Sequence, residues 1–268
     1  MQPGATISQA IRTAAASGSP ALVGFLTGGF PDRASFGAEL VALASAADVV
    51  EVGVPFSDPM ADGATIQRSS RVALGQGVTL AWILDLLSGL RGRLRAPLVM
   101  MSYLNPLLAF GLQRLPRAAG DAGVAGFIVP DLPWEECAEL REALVREGIA
   151  LVQMVTPVTP PARLATLARG SQGFVYAVTA TGTTGGEVAV PEATLSYLDR
   201  VRAAAAVPVC AGFGIRHAAQ VARLAGRVDG VIVGSALVEA VENGVSAAAA
   251  LCRLRQPALQ LSAAGTGA

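Results

Sequence analysis

The chain has 268 residues, 52 % of them hydrophobic and 15 % charged, with a formal net charge of zero. That size fits one large domain with a sizeable core, and the composition excludes wholesale disorder. The charge balance leaves no basic excess for a nucleic-acid footprint, and charges or Gly interrupt every apolar run well short of a bilayer span. All 20 basic residues are Arg, and His217 is the single histidine. Without Lys, a Schiff-base mechanism is excluded. Without clustered imidazoles or thiolates, the usual catalytic zinc sites lack their ligands. No Gly-x-Ser-x-Gly elbow accompanies His217. If the chain is an enzyme, carboxylates are the expected acid–base groups, with backbone dipoles and hydroxyls in support. Cys137, Cys210 and Cys252 are odd in number and widely spaced, which fits buried structural thiols in a reducing cytoplasm. Met1 to Ser8 carries no signal-peptide pattern.

In chain order, Ile7 to Ala16 predicts an extra N-terminal helix that plugs the bottom of the fold. Eight β-rich runs follow: Ala21–Leu26, Asp48–Val54, Pro97–Ser102, Gly126–Pro130, Ala150–Val155, Gly173–Val178, Val207–Ala211 and Gly230–Gly234. Most are nearly continuous in apolar residues, as parallel strands covered on both faces should be. The segments between them carry helical spacing. Leu140 and Leu144 share a stripe in Glu135–Gly148, with Gly148 as a C-cap, and Leu164, Leu167 and Ala168 share another. Eight strands alternating with helices predict a (β/α)8 TIM barrel, a single domain over residues 1–268 with a frayed tail at 262–268. A doubly wound open sheet is the alternative, but the first strand is not followed by a Gly-x-Gly-x-x-Gly turn. The interval between strands two and three is the longest, so loop two is long, a common place for function.

Barrel enzymes put their chemistry where strands end. In strand two, Val50, Val52 and Val54 share one face and Glu51 and Gly53 the other. Three valines suit the helix side, so Glu51 points into the barrel mouth, with Gly53 leaving space beside it. A carboxylate in such a strand costs roughly several kcal/mol unless it is partnered. Burial should raise its pKa into the range useful for proton transfer. A structural glutamate capping the core is the bland alternative. Asp62 sits in the turn-rich loop Ser57–Gly63 and on its own reads as a turn residue; its closeness to Glu51 is what raises its interest.

Gly212-Phe213-Gly214 and Gly234-Ser235 follow strands seven and eight. Glycines at this corner permit a phosphate to approach backbone N–H groups, although plain turns share the composition. Gly182-Thr183-Thr184-Gly185-Gly186 reads equally as a mobile lid or a surface loop. Phe25, Tyr103, Tyr176 and Phe213 fall at strand ends, where they line either a flat apolar pocket or the core. His217 reads as a helix start, and Arg91–Arg95 as a solvated helix end.

The run Glu51-Val-Gly-Val-Pro-Phe-Ser-Asp-Pro-Met-Ala-Asp-Gly63 resembles the signature of the tryptophan synthase alpha subunit family. Phe25–Pro31, Met101–Pro106, Ile128–Pro133, Gly182–Gly185, Gly212–Ile215 and Val233–Ser235 add to the resemblance, which covers roughly Ile7 to Leu254. It implies retro-aldol cleavage of indole-3-glycerol phosphate to indole and glyceraldehyde 3-phosphate, with no cofactor and no metal. By that resemblance Glu51 moves the protons and Asp62 accepts from the indole N–H. Tyr176 then sits near the reacting groups and Thr184 belongs to the lid. Phe25, Tyr103 and Phe213 line the pocket, and Gly185, Gly214, Gly234 and Ser235 hold the phosphate. The partner implied is a pyridoxal-phosphate beta subunit in an alpha2beta2 heterotetramer, reached through Pro55 and Asp58. Two departures stand out: Ala180-Thr181 where the family often has Arg, and Phe30 where many members carry an aspartate used between subunits. Two other readings share the fold: a stand-alone lyase, and a weakly catalytic subunit that activates a beta partner.

Overall fold

A computed structural model describes residues 2–179, 190–212 and 214–255. Within them eight parallel strands close into a barrel in sequence order, β1 pairing with both β2 and β8. The strands are β1 Ala21–Thr27, β2 Val49–Gly53, β3 Leu98–Met101, β4 Val124–Ile128, β5 Ala150–Val155, β6 Val175–Val178, β7 Val209–Gly212 and β8 Gly230–Val233. The helices are α1 Ala5–Ala15, α2 Phe36–Ala46, α3 Ala64–Gly75, α4 Leu80–Gly89, α5 Leu104–Phe110, α6 Leu115–Asp121, α7 Ala138–Arg146, α8 Pro161–Gly170, α9 Glu192–Ala204, α10 Ala218–Leu224, α11 Ser235–Glu242 and α12 Ala247–Arg255. The closed barrel replaces the open-sheet alternative, and all eight predicted strands are present. The predicted tail at 262–268 and the Gly182–Gly186 loop, with the Ala180-Thr181 departure before it, lie outside the described residues.

Period-two alternation sorts the strand side chains into two cores. Val23, Val49, Val99, Val152, Phe174 and Ile232 point inward. Leu22, Leu26, Val50, Val52, Met100 and Val231 point outward against the helices. α1 closes the bottom of the barrel, as its sequence predicts. Ile7 and Ile11 are fully buried in the inner core, and the Ser8 hydroxyl donates to the Gly173 carbonyl at 2.5 Å. The helix begins two residues earlier than its apolar spacing suggests. Gly4 supplies a left-handed N-cap (φ 73°) where a Cβ would lie 2.7 Å from Gly173.

The long interval after β2 holds the loop 54–63 and then α3 and α4, which lie 86° apart. No single helix among the described residues is long and apolar enough to cross a membrane; α3 and α4 together pass on length and composition, and both bury side chains against the barrel. After β4 a 3-10 turn, Trp134–Glu136, precedes α7, so the predicted Glu135–Gly148 helix is split. Gly148 follows α7 with φ 73° and ends it as expected. Arg91, Arg93 and Arg95 are exposed beyond α4, and His217 caps α10 with Gln220, whose Oε1 accepts from the His217 N–H at 3.0 Å. One thiol departs from expectation: Cys137 and Cys210 are buried, but Cys252 is exposed. It lies on the solvent side of α12, whose buried face is Ala247, Leu251 and Leu254.

Candidate active site

Alternation along β2 sends Val49, Glu51 and Gly53 into the barrel. Glu51 is only 1 % exposed, and among the described residues its Oε2 has no hydrogen-bond partner. With that oxygen unpartnered and the group buried, the ionised form is disfavoured and the protonated form favoured. Burial first, then the nearby Asp62 charge, pushes its pKa up to about 8.

Asp62 stands at the end of the loop that follows. Its carbonyl accepts from Gln67 Nε2 at 2.9 Å, tying the loop to the first turn of α3. Burial raises its pKa to about 6, against the lowering effect of a hydrogen bond from the Tyr103 hydroxyl. Tyr103 directly precedes α5 and is buried. Its hydroxyl also accepts the Ala61 N–H at 2.9 Å, and its ring packs 5.2 Å from that of Phe56. Burial, then the Asp62 charge, pushes Tyr103 up to about 12, so it stays a donor. Two carboxylates of one pocket are thus held apart in acidity: near neutral pH Glu51 keeps its proton while Asp62 is largely ionised.

Both face a cavity of about 680 Å³, its open mouth included, lined also by Phe25, Ile66, Met101, Tyr176, Ile232, Gly214, Ile215, Arg216, Gly234 and Ser235. The walls beside the carboxylates are aromatic and aliphatic, which suits a flat apolar ring. Tyr176 is buried; burial first, then the Glu51 charge, holds its phenol well above its ordinary pKa. Two glycines make room for the aromatics. A Cβ on Gly212 would lie 2.4 Å from the Tyr176 hydroxyl, and one on Gly53 would lie 2.5 Å from the Phe25 ring. The space beside Glu51 expected from Gly53 is therefore taken by Phe25.

At the far end, Gly214 adopts φ 84°, a left-handed conformation, and Gly234 leads into the first turn of α11 at Ser235. The first backbone N–H groups of a helix are unpaired and carry its positive end, a natural seat for an anion. The cavity therefore has an apolar middle, a carboxylate pair on one side and the N-terminus of α11 at its end.

Of the residues singled out in the sequence, Phe25, Glu51, Asp62, Tyr176, Gly214, Gly234 and Ser235 line this one cavity. Tyr103 lies behind Asp62, on a smaller adjoining cavity that shares Phe25, Asp62, Ile66 and Met101. Phe213, Thr184 and Gly185 lie outside the described residues. Ile66, Met101, Ile232 and Arg216 line the cavity without having been singled out. Met101 and Ile232 were accessible from strand alternation, Met101 being two residues past inward Val99. Arg216 had no local signal, because its partner, Glu239, is on another element. Phe30 is buried in a small apolar cluster with Phe25 and Val238. Pro55 is buried and Asp58 exposed on the loop. Among the described residues no three His, Cys, Asp or Glu side chains cluster as metal ligands.

The sequence model of the family described as "Tryptophan synthase alpha chain" matches residues 11–263. The tryptophan synthase alpha chain of Nitratidesulfovibrio vulgaris is 46 % identical over 243 residues, which cover 90 % of this chain and 95 % of that one. That of Geobacter sulfurreducens is 46 % identical over 228 residues, covering 85 % and 86 %. Among solved structures, Mycobacterium tuberculosis tryptophan synthase superposes with a TM-score of 0.85 at 36 % identity, covering 92 % of this chain and 96 % of that one. The tryptophan synthase a2b2 complex of Pyrococcus furiosus superposes at 0.81 and 37 % identity, covering 88 % and 96 %. Fold and sequence agree, and the chain belongs to the tryptophan synthase alpha chain family.

Proposed function

We propose that this barrel cleaves indole-3-glycerol phosphate to indole and glyceraldehyde 3-phosphate, with Glu51 and Asp62 dividing the proton chemistry. The observation that carries the assignment is the unequal carboxylate pair on one apolar cavity: Glu51 raised to about 8, Asp62 to about 6. Protonated Glu51 gives its proton to C3 of the indole ring. The ring becomes a cationic indolenine, whose N–H is held by ionised Asp62. Glu51, now a carboxylate, takes the proton of the glycerol hydroxyl next to the ring. That hydroxyl carbon becomes the aldehyde, the C–C bond breaks, and its electron pair returns to the ring to restore indole. The proton given to C3 stays on the product and the hydroxyl proton returns to Glu51, so the residue ends as it began. Positioned acid–base groups of this kind are each worth roughly 10²–10⁴ in rate. The protonated ring serves as electron sink, a role that a lysine imine fills in other retro-aldol cleavages and that a chain without Lys cannot fill in that way.

Phe25 and Tyr176 flank the ring, Tyr103 orients Asp62, and Gly214, Gly234 and Ser235 receive the phosphate, with Phe213, Thr184 and Gly185 completing the site. The chain works as one barrel domain in the cytoplasm. It hands indole to a beta subunit within an alpha2beta2 complex, docked against loop 54–63. Met60 on that loop is 89 % exposed, and an apolar groove runs beside it between Pro55, Phe56, Ala109 and Phe110; both features suit burial by a partner. The test is indole release from indole-3-glycerol phosphate with and without a beta subunit. Partner-stimulated release is expected. Full release alone would make this a stand-alone lyase, and no release under either condition would refute catalysis.

A further inference from the structure

The cavity presents a charge problem. Its substrate carries a phosphate dianion, and its wall carries two carboxylates. Arg216 is the only cationic side chain lining the cavity among the described residues. An arginine free to move in such a pocket would be drawn to the carboxylates, where it would strip Glu51 of its proton. It is not free. Its guanidinium grips Glu239 on α11 with two bonds, at 2.6 and 2.9 Å. Thr65 in the first turn of α3 donates to the same carboxylate at 2.8 Å. The neighbouring cation, Arg68, is engaged by Glu242 through two bonds of 2.7 Å, so Arg216 remains the charge partner of Glu239. Ser235 and Glu239 are four residues apart on α11, so they share a face one turn apart. Arg216 does not lower the pKa of either Glu51 or Asp62, consistent with a guanidinium parked away from them.

We propose that Arg216 is a specificity residue for the phosphate of the substrate, and that Glu239 is its positioning residue, holding the cation at the phosphate end and away from the Glu51–Asp62 pair. The inference rests on the function proposed above. A bidentate guanidinium–carboxylate pair is geometrically stiff, and here it joins the loop after β7 to α11, with Thr65 bringing in α3. Glu239 also balances the charge of Arg216, so the net attraction is for a dianion that can share the guanidinium.

Steady-state cleavage, with product inhibition by indole and by glyceraldehyde 3-phosphate, tests this in wild type, Arg216→Gln, Arg216→Lys, Glu239→Gln and the double Gln variant. Both side chains are partly exposed, and circular dichroism checks that each variant is folded. Arg216→Gln should raise KM and the glyceraldehyde 3-phosphate inhibition constant about tenfold, the size expected of a partly solvated charge-assisted bond. Its kcat and its inhibition by indole should stay within a few-fold, and Arg216→Lys should recover part of the loss. Glu239→Gln should release the cation towards Asp62 and move the acid limb of the pH–rate profile to lower pH. The double variant should restore the limb while KM stays high. Equal weakening of indole and glyceraldehyde 3-phosphate, or no weakening of either, would overturn the phosphate role. A Glu239→Gln profile identical to wild type would overturn the positioning role. If wild type itself fails to release indole, the proposed function fails instead, and calorimetric titration with glyceraldehyde 3-phosphate still decides on Arg216.

Discussion

Replacing Glu51 by Gln tests the acid–base assignment and the burial argument in one protein. The substitution keeps the side chain's shape and removes its titration. In the folded chain, burial and then Asp62 lift the Glu51 pKa from 4.5 to about 8; in the unfolded chain it titrates near ~4.3. The folded state therefore holds this proton more tightly. Its contribution to stability is complete below the unfolded value and is lost as pH rises through about 8. A shift of that size corresponds to at most about 5 kcal/mol, and water penetration into the opened site lowers this to a few. Glu51→Gln has no such dependence. Its stability relative to wild type should grow by about 2–4 kcal/mol between about pH 5 and about pH 9, whatever the fixed cost of burying an amide. Denaturant unfolding at both pH values measures the difference. Indole release should fall by roughly 10²–10⁴ with KM changed only a few-fold. Turnover within a few-fold of wild type would refute the proton-transfer role. Parallel pH dependence of stability in the two proteins would refute the buried, protonated state.

Four further outcomes are expected. In wild type, kcat/KM should rise as Asp62 ionises near about 6 and fall as Glu51 loses its proton near about 8; a plateau across both limbs in a pH–rate profile would contradict the divided roles, the limbs belonging to the pair as a unit. Tyr103→Phe removes the acceptor of the Ala61 N–H and a donor to Asp62, so the acid limb should move to higher pH, with a loss of about 1–3 kcal/mol in unfolding free energy. Gly212→Ala should displace the Tyr176 ring, since the new Cβ would meet its hydroxyl at 2.4 Å; indole release should drop and denaturant unfolding should show a loss of about 1–3 kcal/mol. Ile11→Ala, in the plug at the opposite end of the barrel, should cost about 2–5 kcal/mol of stability by the same measurement while leaving kcat and KM unchanged.

Much of this site could be read from local rules because strands impose them. The period of two along Val49–Gly53 aims Glu51 inward and Val50 and Val52 outward before any partner strand is considered. Eight apolar runs separated by helical spacing imply the closed barrel, and Gly214 and Gly234-Ser235 mark the far corner of the cavity through their backbone freedom and their place before a helix. What local rules cannot reach is anything that depends on how the loops return. Asp62 reads as a turn residue until the Tyr103 hydroxyl, contributed from beyond the next strand, holds it beside Glu51. Phe25 fills the space opposite Gly53 only because β1 and β2 pair in a register that aligns Thr27 with Gly53. Cys252 faces solvent because α12 packs through other residues. Arg216 and Glu239 have no spacing that announces them; barrel closure alone brings the loop after β7 to α11. The sequence by itself determined which side chains point into the barrel, since alternation is a property of each strand. The tertiary structure alone decided which of them meet and how acidic they are, since burial and neighbouring charge are properties of the assembled mouth.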